Sequence, residues 1–341
     1  MTAPRKRPAT LRDVAQVAGV STATVSKFVN GIQRFTAEVE ARISQAVGEL
    51  GYSLNPMARG MITGQTGNVG IVILDIRNPH FTSMVKGASR AAAAAGLNLI
   101  IADAAESTLP ELGVLQSLTR RVDGLIVSAR LPQPVIAALL DSGTPVVFYG
   151  LPASYPGSHV VGCDSFTAGL MLGRHLRELG HRRICYLGFS GARWSHERAQ
   201  GLQKAFEGVK DGRVRVVDAA GPSTEDAERL ASSVLLSQEM DDAIVGYNDL
   251  MALGVLLEAR ALGIRVPEQL SVAGFDNIAY GRLSSPALTS VDMMGEDTGD
   301  LAMRRLVSVI RGETVATDGD VLPSRIVVRE STAARRSRVN D

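Results

Sequence analysis

Arg198, Asn248, Asp249 and Asp276, together with Phe81 and Trp194, are the side-chain types that recognise a hydroxylated small molecule. A carboxylate accepts hydrogen bonds, a guanidinium donates them and an amide does both. Jointly they can satisfy vicinal hydroxyls while aromatic rings cover an apolar sugar face. The same types have plainer uses: Arg198 in a surface ion pair, Asn248 and Asp276 as helix caps, Asp249 at a helix N-terminus, Trp194 as core filling. A second set lies near the N-terminus: Thr10, Arg12, Ser21, Thr22, Ala23, Ser26, Lys27, Asn30 and Thr36. Hydroxyls at helix N-termini bind phosphate oxygens. Lys27 could reach guanine O6/N7, and Ala23 could offer apolar contact to a thymine methyl.

Turnover finds little support in the residues. No G-x-x-x-x-G-K-[ST] loop, strand-following G-x-G-x-x-G or G-x-S-x-G elbow occurs. His80, His159, His175, His181 and His196 lack ligand spacing for zinc. No catalytic residue, metal or cofactor is expected. Cys163 and Cys185 each sit among apolar residues and read as buried, reduced thiols.

The elements that must position these groups follow from hydrophobic periodicity. From residue 68 onward, short apolar runs alternate with amphipathic segments: Val69–Leu74, Leu97–Ala102, Gly124–Ser128, Val146–Tyr149, Ile184–Leu187, Val214–Val217, Ala243–Tyr247, Leu270–Phe275 and Ile326–Val328. Continuous rather than alternating runs indicate strands covered on both faces, hence parallel sheets with helices outside. Helices are expected over 81–95, 165–179, 195–207, 249–262 and 295–311. So many strands exceed one compact sheet and predict two doubly wound lobes. The ligand-binding candidates all follow carboxyl ends of these strands, where open α/β sheets bind ligands.

The N-terminal region carries helical periodicity only. Leu11, Val14, Ala15 and Ala18 share one helix face. Gly19 suits a left-handed C-cap, and Ser21 suits the N-cap of a second helix with Val25, Phe28 and Val29 inward. A third helix starts at Thr36 with Val39, Ile43, Val47 and Leu50 inward. Three short helices on one small core, the second polar outward, predict an all-α helix-turn-helix head; a generic three-helix bundle is the plainer alternative. Charge agrees with a polyanion partner. Residues 1–63 hold eight Lys/Arg against four Asp/Glu, a surplus of four positive charges; the whole chain is +1, so the remainder carries −3.

Residues 53–67 form a connector. Asn55 can cap and Pro56 fits the first position of a two-turn helix over 56–62, too short to persist alone. The boundaries expected are a disordered basic arm over 1–9, the head over 10–53, a hinge helix and linker over 54–67, the two-lobed body over 68–330, and a disordered tail over 331–341. No signal peptide or membrane span is expected.

The run Thr10-Leu11-Arg12-Asp13-Val14-Ala15-Gln16-Val17-Ala18-Gly19-Val20-Ser21, then Thr24-Val25-Ser26-Lys27 and Asn30-Gly31, resembles the N-terminal signature of the LacI/GalR family of bacterial transcriptional regulators. The likeness continues through Glu49-Leu50-Gly51-Tyr52 and Asn55-Pro56-Met57-Ala58-Arg59. In the body it covers Asn78-Pro79, Leu179-Gly180-His181-Arg182, Asn248-Asp249 and Gly274-Phe275-Asp276. The resemblance implies a periplasmic-binding-protein-like body and a homodimer that grips palindromic operator DNA. It also implies a hinge that folds on that DNA, with Asn55, Ala58 and Arg59 in contact and Met61 as the minor-groove wedge, a position where the family has Leu. It implies Arg198, Asn248 and Asp276 as the polar contacts of a small-molecule effector, with Phe81 and Trp194 as walls. The expected function is a cytoplasmic, nucleoid-associated repressor controlled by a sugar, sugar acid or related metabolite. An activator or dual regulator of the same family, or a periplasmic-type sugar-binding protein, are the alternatives. Three positions depart from the family pattern: Lys27 in place of Arg, Gly150 in place of Asp or Arg, and Met293 in place of Gln.

Overall fold

The computed structural model describes residues 7, 9–52, 65–105, 112–150, 158–237, 241–314 and 319–335. They divide into two compact units at Gly67/Asn68. The expected hinge helix, with Asn55, Ala58, Arg59 and Met61, lies outside the described residues, as does nearly all of the basic arm.

The first unit is three helices: α1 (Leu11–Ala18), α2 (Thr22–Val29) and α3 (Ala37–Leu50). Their ends are set locally. Thr10 and Asp13 form a reciprocal capping box at the start of α1. Gly19 then ends it in the left-handed conformation (φ 64°), which a Cβ would disfavour. Ser21 Oγ accepts the Thr24 N–H at 3.0 Å and so starts α2. Val14, Ala15, Ala18, Val25, Ile43 and Ala46 form the buried core, with Leu11, Phe28 and Val47 packed on it.

The second unit holds two six-stranded sheets. The upper lobe is built on β1 (Asn68–Ile73), β2 (Asn98–Asp103), β3 (Leu125–Ser128), β4 (Val146–Tyr149) and β5 (His159–Cys163). Its helices are α4 (Pro79–Ala94), α5 (Leu112–Thr119) and α6 (Gln133–Asp141). The chain then crosses. The lower lobe contains α7 (Ser165–Glu178), β6 (Arg183–Gly188), α8 (Arg193–Ala205), β7 (Arg213–Asp218) and α9 (Thr224–Leu235). It continues with β8 (Ala243–Gly246), α10 (Asp249–Ala261), β9 (Ser271–Phe275), α11 (Ala279–Leu283) and β10 (Thr289–Asp292). A second crossing at Met293 and Met294 leads to α12 (Gly295–Ile310), which packs back on α4 in the upper lobe. β11 (Asp320–Leu322) completes the upper sheet, and a third crossing brings β12 (Arg325–Val327) to the lower one.

Strand order is β11-β5-β4-β3-β1-β2 above and β12-β10-β9-β8-β6-β7 below. Every pair is parallel except β10 with β12. The predicted pair of doubly wound sheets is therefore observed. Residues that follow the carboxyl ends of β1, β4, β6, β8 and β9 line one cleft, the topological position for a ligand. In the upper lobe α12 is pinned on α4: a Cβ at Gly299 would lie 1.9 Å from the Met84 carbonyl oxygen, so only glycine allows that approach.

The expectation of a disordered tail from 331 does not hold for 331–335. Ser331 is fully buried, its Oγ donates to the Val272 carbonyl at 2.6 Å and accepts the Thr289 N–H at 2.8 Å. Arg335 N–H donates to the Leu179 carbonyl at 2.7 Å. Polar composition suggested solvent, but these side chains serve as partners for buried strand backbone. Residues 336–341 lie outside the described residues.

Candidate functional site

On the head, the exposed surface of α2 begins at its first turn. Ser21, Thr22, Ala23 and Lys27 are exposed, while Ser26 and Asn30 are half-buried. Ser21 Oγ is engaged with both Thr24 N–H and Thr24 Oγ1 (2.8 Å), leaving Thr22 and Ala23 as the free side chains at the helix tip. Lys27 Nζ donates to Gln33 Oε1 at 3.2 Å, a brace from the turn after α2 that sequence reasoning missed. Asn30 Nδ2 donates to the Ser26 carbonyl at 2.8 Å and so closes the helix end. Arg12 and Thr36 are exposed. Thr36 makes no side-chain cap, and Glu40 turns back to accept the Phe35 N–H at 3.0 Å. The Thr10 hydroxyl is committed to the capping box, donating to Asp13 Oδ2 at 2.7 Å. Hydrogen bonds from Thr10 hold the Asp13 carboxyl below the usual carboxylate range.

In the body, a cleft of about 690 Å³, its open mouth included, lies between the lobes. Its lining brings together all five sequence-predicted effector residues: Phe81, Trp194, Arg198, Asn248 and Asp276. Phe81, on the first turn of α4, packs edge-on to His80 (centroids 5.3 Å) and tilted against Tyr149 (6.2 Å). Arg198 rises from α8 and is 5% exposed. Its guanidinium lies over Phe275 (4.6 Å) and Tyr247 (5.1 Å) and donates to the Tyr247 carbonyl at 2.5 Å. Asp276 Oδ1 faces Arg198 Nη2 at 3.9 Å and His80 Nδ1 at 3.7 Å, beyond hydrogen-bond length in both cases. Its backbone sits at φ 106° and the next residue, Asn277, at φ 52°. That strained pair turns the carboxylate out of β9 into the cleft.

Asn248 and Asp249 divide their work differently from a shared site. Asn248 lines the cleft, but its Oδ1 caps α10 through Met251 N–H (2.8 Å) and its Nδ2 donates to the Pro222 carbonyl (3.0 Å). Asp249 is fully buried; its carboxyl accepts from Ile278 N–H (2.9 Å) and Ser290 Oγ (2.6 Å) and fastens the turn that carries Asp276. Burial, with the Asp276 charge nearby, raises its pKa well above the carboxylate range and favours the neutral acid.

Trp194 rests on both lobes. It packs against the lower core and against the upper one. Its indole N–H donates to the Tyr247 hydroxyl. Gly150, the departure noted after β4, is explained by that ring: a Cβ at Gly150 (φ 79°) would lie 2.8 Å from Trp194 Cζ3. Sequence reasoning missed several lining residues, among them His80, Tyr149, Cys163, Tyr247 and Thr298. Tyr149 and Tyr247 stand at or beside carboxyl ends of strands, so the rule that found Phe81 could have found them. Cys163 is a buried thiol whose Sγ donates to the Met293 carbonyl at 3.3 Å; burial pushes its pKa up to about 12, so it is no nucleophile here. Among the described residues, the buried lining atoms His80 Nδ1, Arg198 Nε and Thr298 Oγ1 have no hydrogen-bond partner. Such atoms are costly unless something else satisfies them.

Residues 10–55 match the family model described as bacterial regulatory proteins, lacI family, and residues 174–332 match the periplasmic binding protein-like domain. The chain is 30% identical over 335 residues to the HTH-type transcriptional repressor CytR of Escherichia coli strain K12, spanning 96% of this chain and 97% of that protein. It is 32% identical over 337 residues to the HTH-type transcriptional regulator CelR of Thermobifida fusca, spanning 96% and 99%. Among solved structures, the lac repressor dimer bound to operator and the anti-inducer ONPF superposes with a TM-score of 0.86 at 23% identity, over 96% of this chain and 100% of that one. The CelR–cellobiose complex superposes at 0.70 with 28% identity, over 95% and 99%.

Proposed function

The chain belongs to the LacI family of bacterial transcriptional regulators, and on that premise we propose that it is a homodimeric repressor whose paired heads grip a palindromic operator under the control of a sugar-like effector held between the lobes. It is a DNA-binding regulator and not an enzyme. In the operator complex Thr22 and Ala23 meet base edges, and Lys27 reaches deeper along the groove. Arg12, Ser21, Thr36 and backbone N–H groups meet phosphates. Ser26 and Asn30 support that face. Asn55, Ala58, Arg59 and Met61 belong to a hinge that orders on DNA, with Met61 as an apolar wedge in the minor groove. The protein acts in the cytoplasm, on the nucleoid.

The observation that carries the effector reading is the buried Arg198–Asp276 opposition at 3.9 Å. The gap is too long for a direct hydrogen bond and suits a ligand hydroxyl that accepts from one and donates to the other. The ligands of structural neighbours, cellobiose for CelR and ribose for an Enterococcus faecium LacI family regulator, support a polyhydroxylated effector. Occupancy changes how the lobes sit, and a dimeric body passes that change to the hinges.

The test is selection of duplexes from a random pool by the full-length protein, then operator titration with and without sugars and sugar acids. Palindromic sites are expected, with affinity lowered by one effector. A chain lacking residues 1–67 should lose operator binding. Retention of that binding would overturn the assignment of roles.

A further inference from the structure

Within that reading, which this step deepens, we infer that the effector is an uncharged, single-ring polyol, and that Trp194 is the residue that excludes anything longer. Two observations meet here. The first is charge. Among the described residues the cleft lining holds one Arg or Lys, the buried Arg198, and its charge faces the Asp276 carboxylate. One Arg198 terminal nitrogen is already spent on the Tyr247 carbonyl. Glu197, also in the lining, is paired with Arg193 at 2.5 Å. Burial keeps the neighbouring Asp249 on its neutral side. An anionic ligand would lay its carboxylate beside Asp276 with no second Arg or Lys in the described lining to pair with it. Arg130 is the other guanidinium near this end; it lies over the rings of Phe189 (5.3 Å) and Trp194 (5.9 Å) and is absent from the lining. The unpartnered atoms His80 Nδ1, Arg198 Nε and Thr298 Oγ1 are what neutral hydroxyls can satisfy.

The second observation is length. Trp194 stands on the lower lobe, yet its ring lies on Gly150 of the upper one, with room for no side chain between. The Tyr247 hydroxyl holds its N–H, and Arg130, which follows β3 in the upper lobe, covers the ring. The indole thus bolts one lobe to the other at the wall of the cleft. A second sugar ring on that side would have to displace it.

The test uses the full-length protein, thermal shift and calorimetry. The probes are neutral monosaccharides (ribose, xylose, glucose, galactose, mannose), sugar acids (gluconate, glucuronate, galacturonate) and disaccharides (cellobiose, lactose, maltose). A neutral monosaccharide should bind the parent protein at least about tenfold more tightly than any acid or disaccharide, a gap of about 1.4 kcal/mol. Because Trp194 is the only tryptophan, that binding should also change the emission of the protein. Trp194→Ala should collapse the gap between monosaccharide and disaccharide, whereas Trp194→Phe, which keeps an aromatic plug, should preserve it. Retained circular dichroism and a cooperative thermal transition establish that the variants are folded. Tighter binding of an acid or a disaccharide by the parent protein would overturn the inference, as would an unchanged preference in folded Trp194→Ala. Binding of no probe by the parent or either variant would instead remove the sugar-effector reading beneath it.

Discussion

In the head, each polar side chain that shapes the fold finds its partner within six residues: Thr10 with Asp13, Ser21 with Thr24, Lys27 with Gln33. In the body the decisive partners are far apart in sequence: Arg198 with Tyr247, Asp249 with Ser290, Thr289 with Ser331. The head leaves its polar face exposed around a core of small and medium side chains. The body buries its polar groups and, among the described residues, leaves some that line the cleft without a partner. A surface that must meet a duplex can be prepared by local caps. A pocket that must select a small molecule needs desolvated groups, and only a large core can hold them there.

The largest effect expected from this contrast is at Ile43, fully buried at the centre of the head. Ile43→Ala should cost about 2–4 kcal/mol. Against so small a core, that is enough to unfold the head while the body keeps its own transition. Calorimetry should then show one transition lost and one retained, with effector binding intact and operator binding gone. Simultaneous loss of both transitions would mean that the two units do not fold independently.

Next is Arg198. Arg198→Ala removes the charge that faces Asp276 and the donor to the Tyr247 carbonyl, a loss of about 1–3 kcal/mol in chemical denaturation. Effector response should vanish with it. Arg198→Ala combined with Asp276→Ala should recover part of the stability but none of the response. If the single variant lost no stability, the pair would be a solvated contact and not the core of the site.

The same contrast explains what was legible in the sequence. Gly19 and Ser21 announce the turn because caps act over a few residues, so the head could be read almost to its boundaries. Apolar runs such as Ala243–Tyr247 announce central strands because both faces are covered. β10 was missed because Thr289 and Ser290, though fully buried, are polar. Their satisfaction comes from Ser331, Thr332 and Asp249, which no local pattern links to them. The ordered residues 331–335 were misjudged for the same reason. In the cleft, the rule of strand carboxyl ends led to Phe81, Trp194, Arg198, Asn248 and Asp276. It could not tell that the amide of Asn248 is consumed by capping, nor that Trp194 spans to Gly150, since both facts are contacts between distant segments.

A smaller effect separates two buried carboxylates of the lower lobe by pH. Asp249 has a raised pKa, chiefly through burial, so its folded state binds a proton more readily than the unfolded chain. Its contribution is present below the unfolded carboxylate range and is lost as pH rises through the folded value. Asp242 is opposite: hydrogen bonds from the Arg183 and Arg182 backbones and the Arg183 side chain outweigh burial and lower its pKa. Its contribution is present at neutral pH and is lost on acidification. Asp249→Asn should therefore flatten the decline of body stability as pH rises from mildly acidic to neutral, and leave the acid limb set by Asp242 in place. Denaturant titrations across pH would show it. An unaltered slope above the carboxylate range would mean that Asp249 is ionised in its pocket.

The smallest effects come from the hydroxyls of the head, and they distinguish a cap from a contact. Ser21 Oγ satisfies the Thr24 N–H, so Ser21→Ala should destabilise the head by about 1 kcal/mol even without DNA. Thr36 stands at the equivalent position of α3 but makes no side-chain cap. Thr36→Ala should change head stability by less than about 0.5 kcal/mol. An operator affinity that nevertheless falls, uniformly across sequences, assigns the Thr36 hydroxyl to a phosphate. An affinity that falls only for particular base changes would assign it to a base edge instead. If neither stability nor affinity moved, the exposed hydroxyl of Thr36 would have no place in the interface, and phosphate contact at this end of α3 would rest on its backbone N–H groups alone.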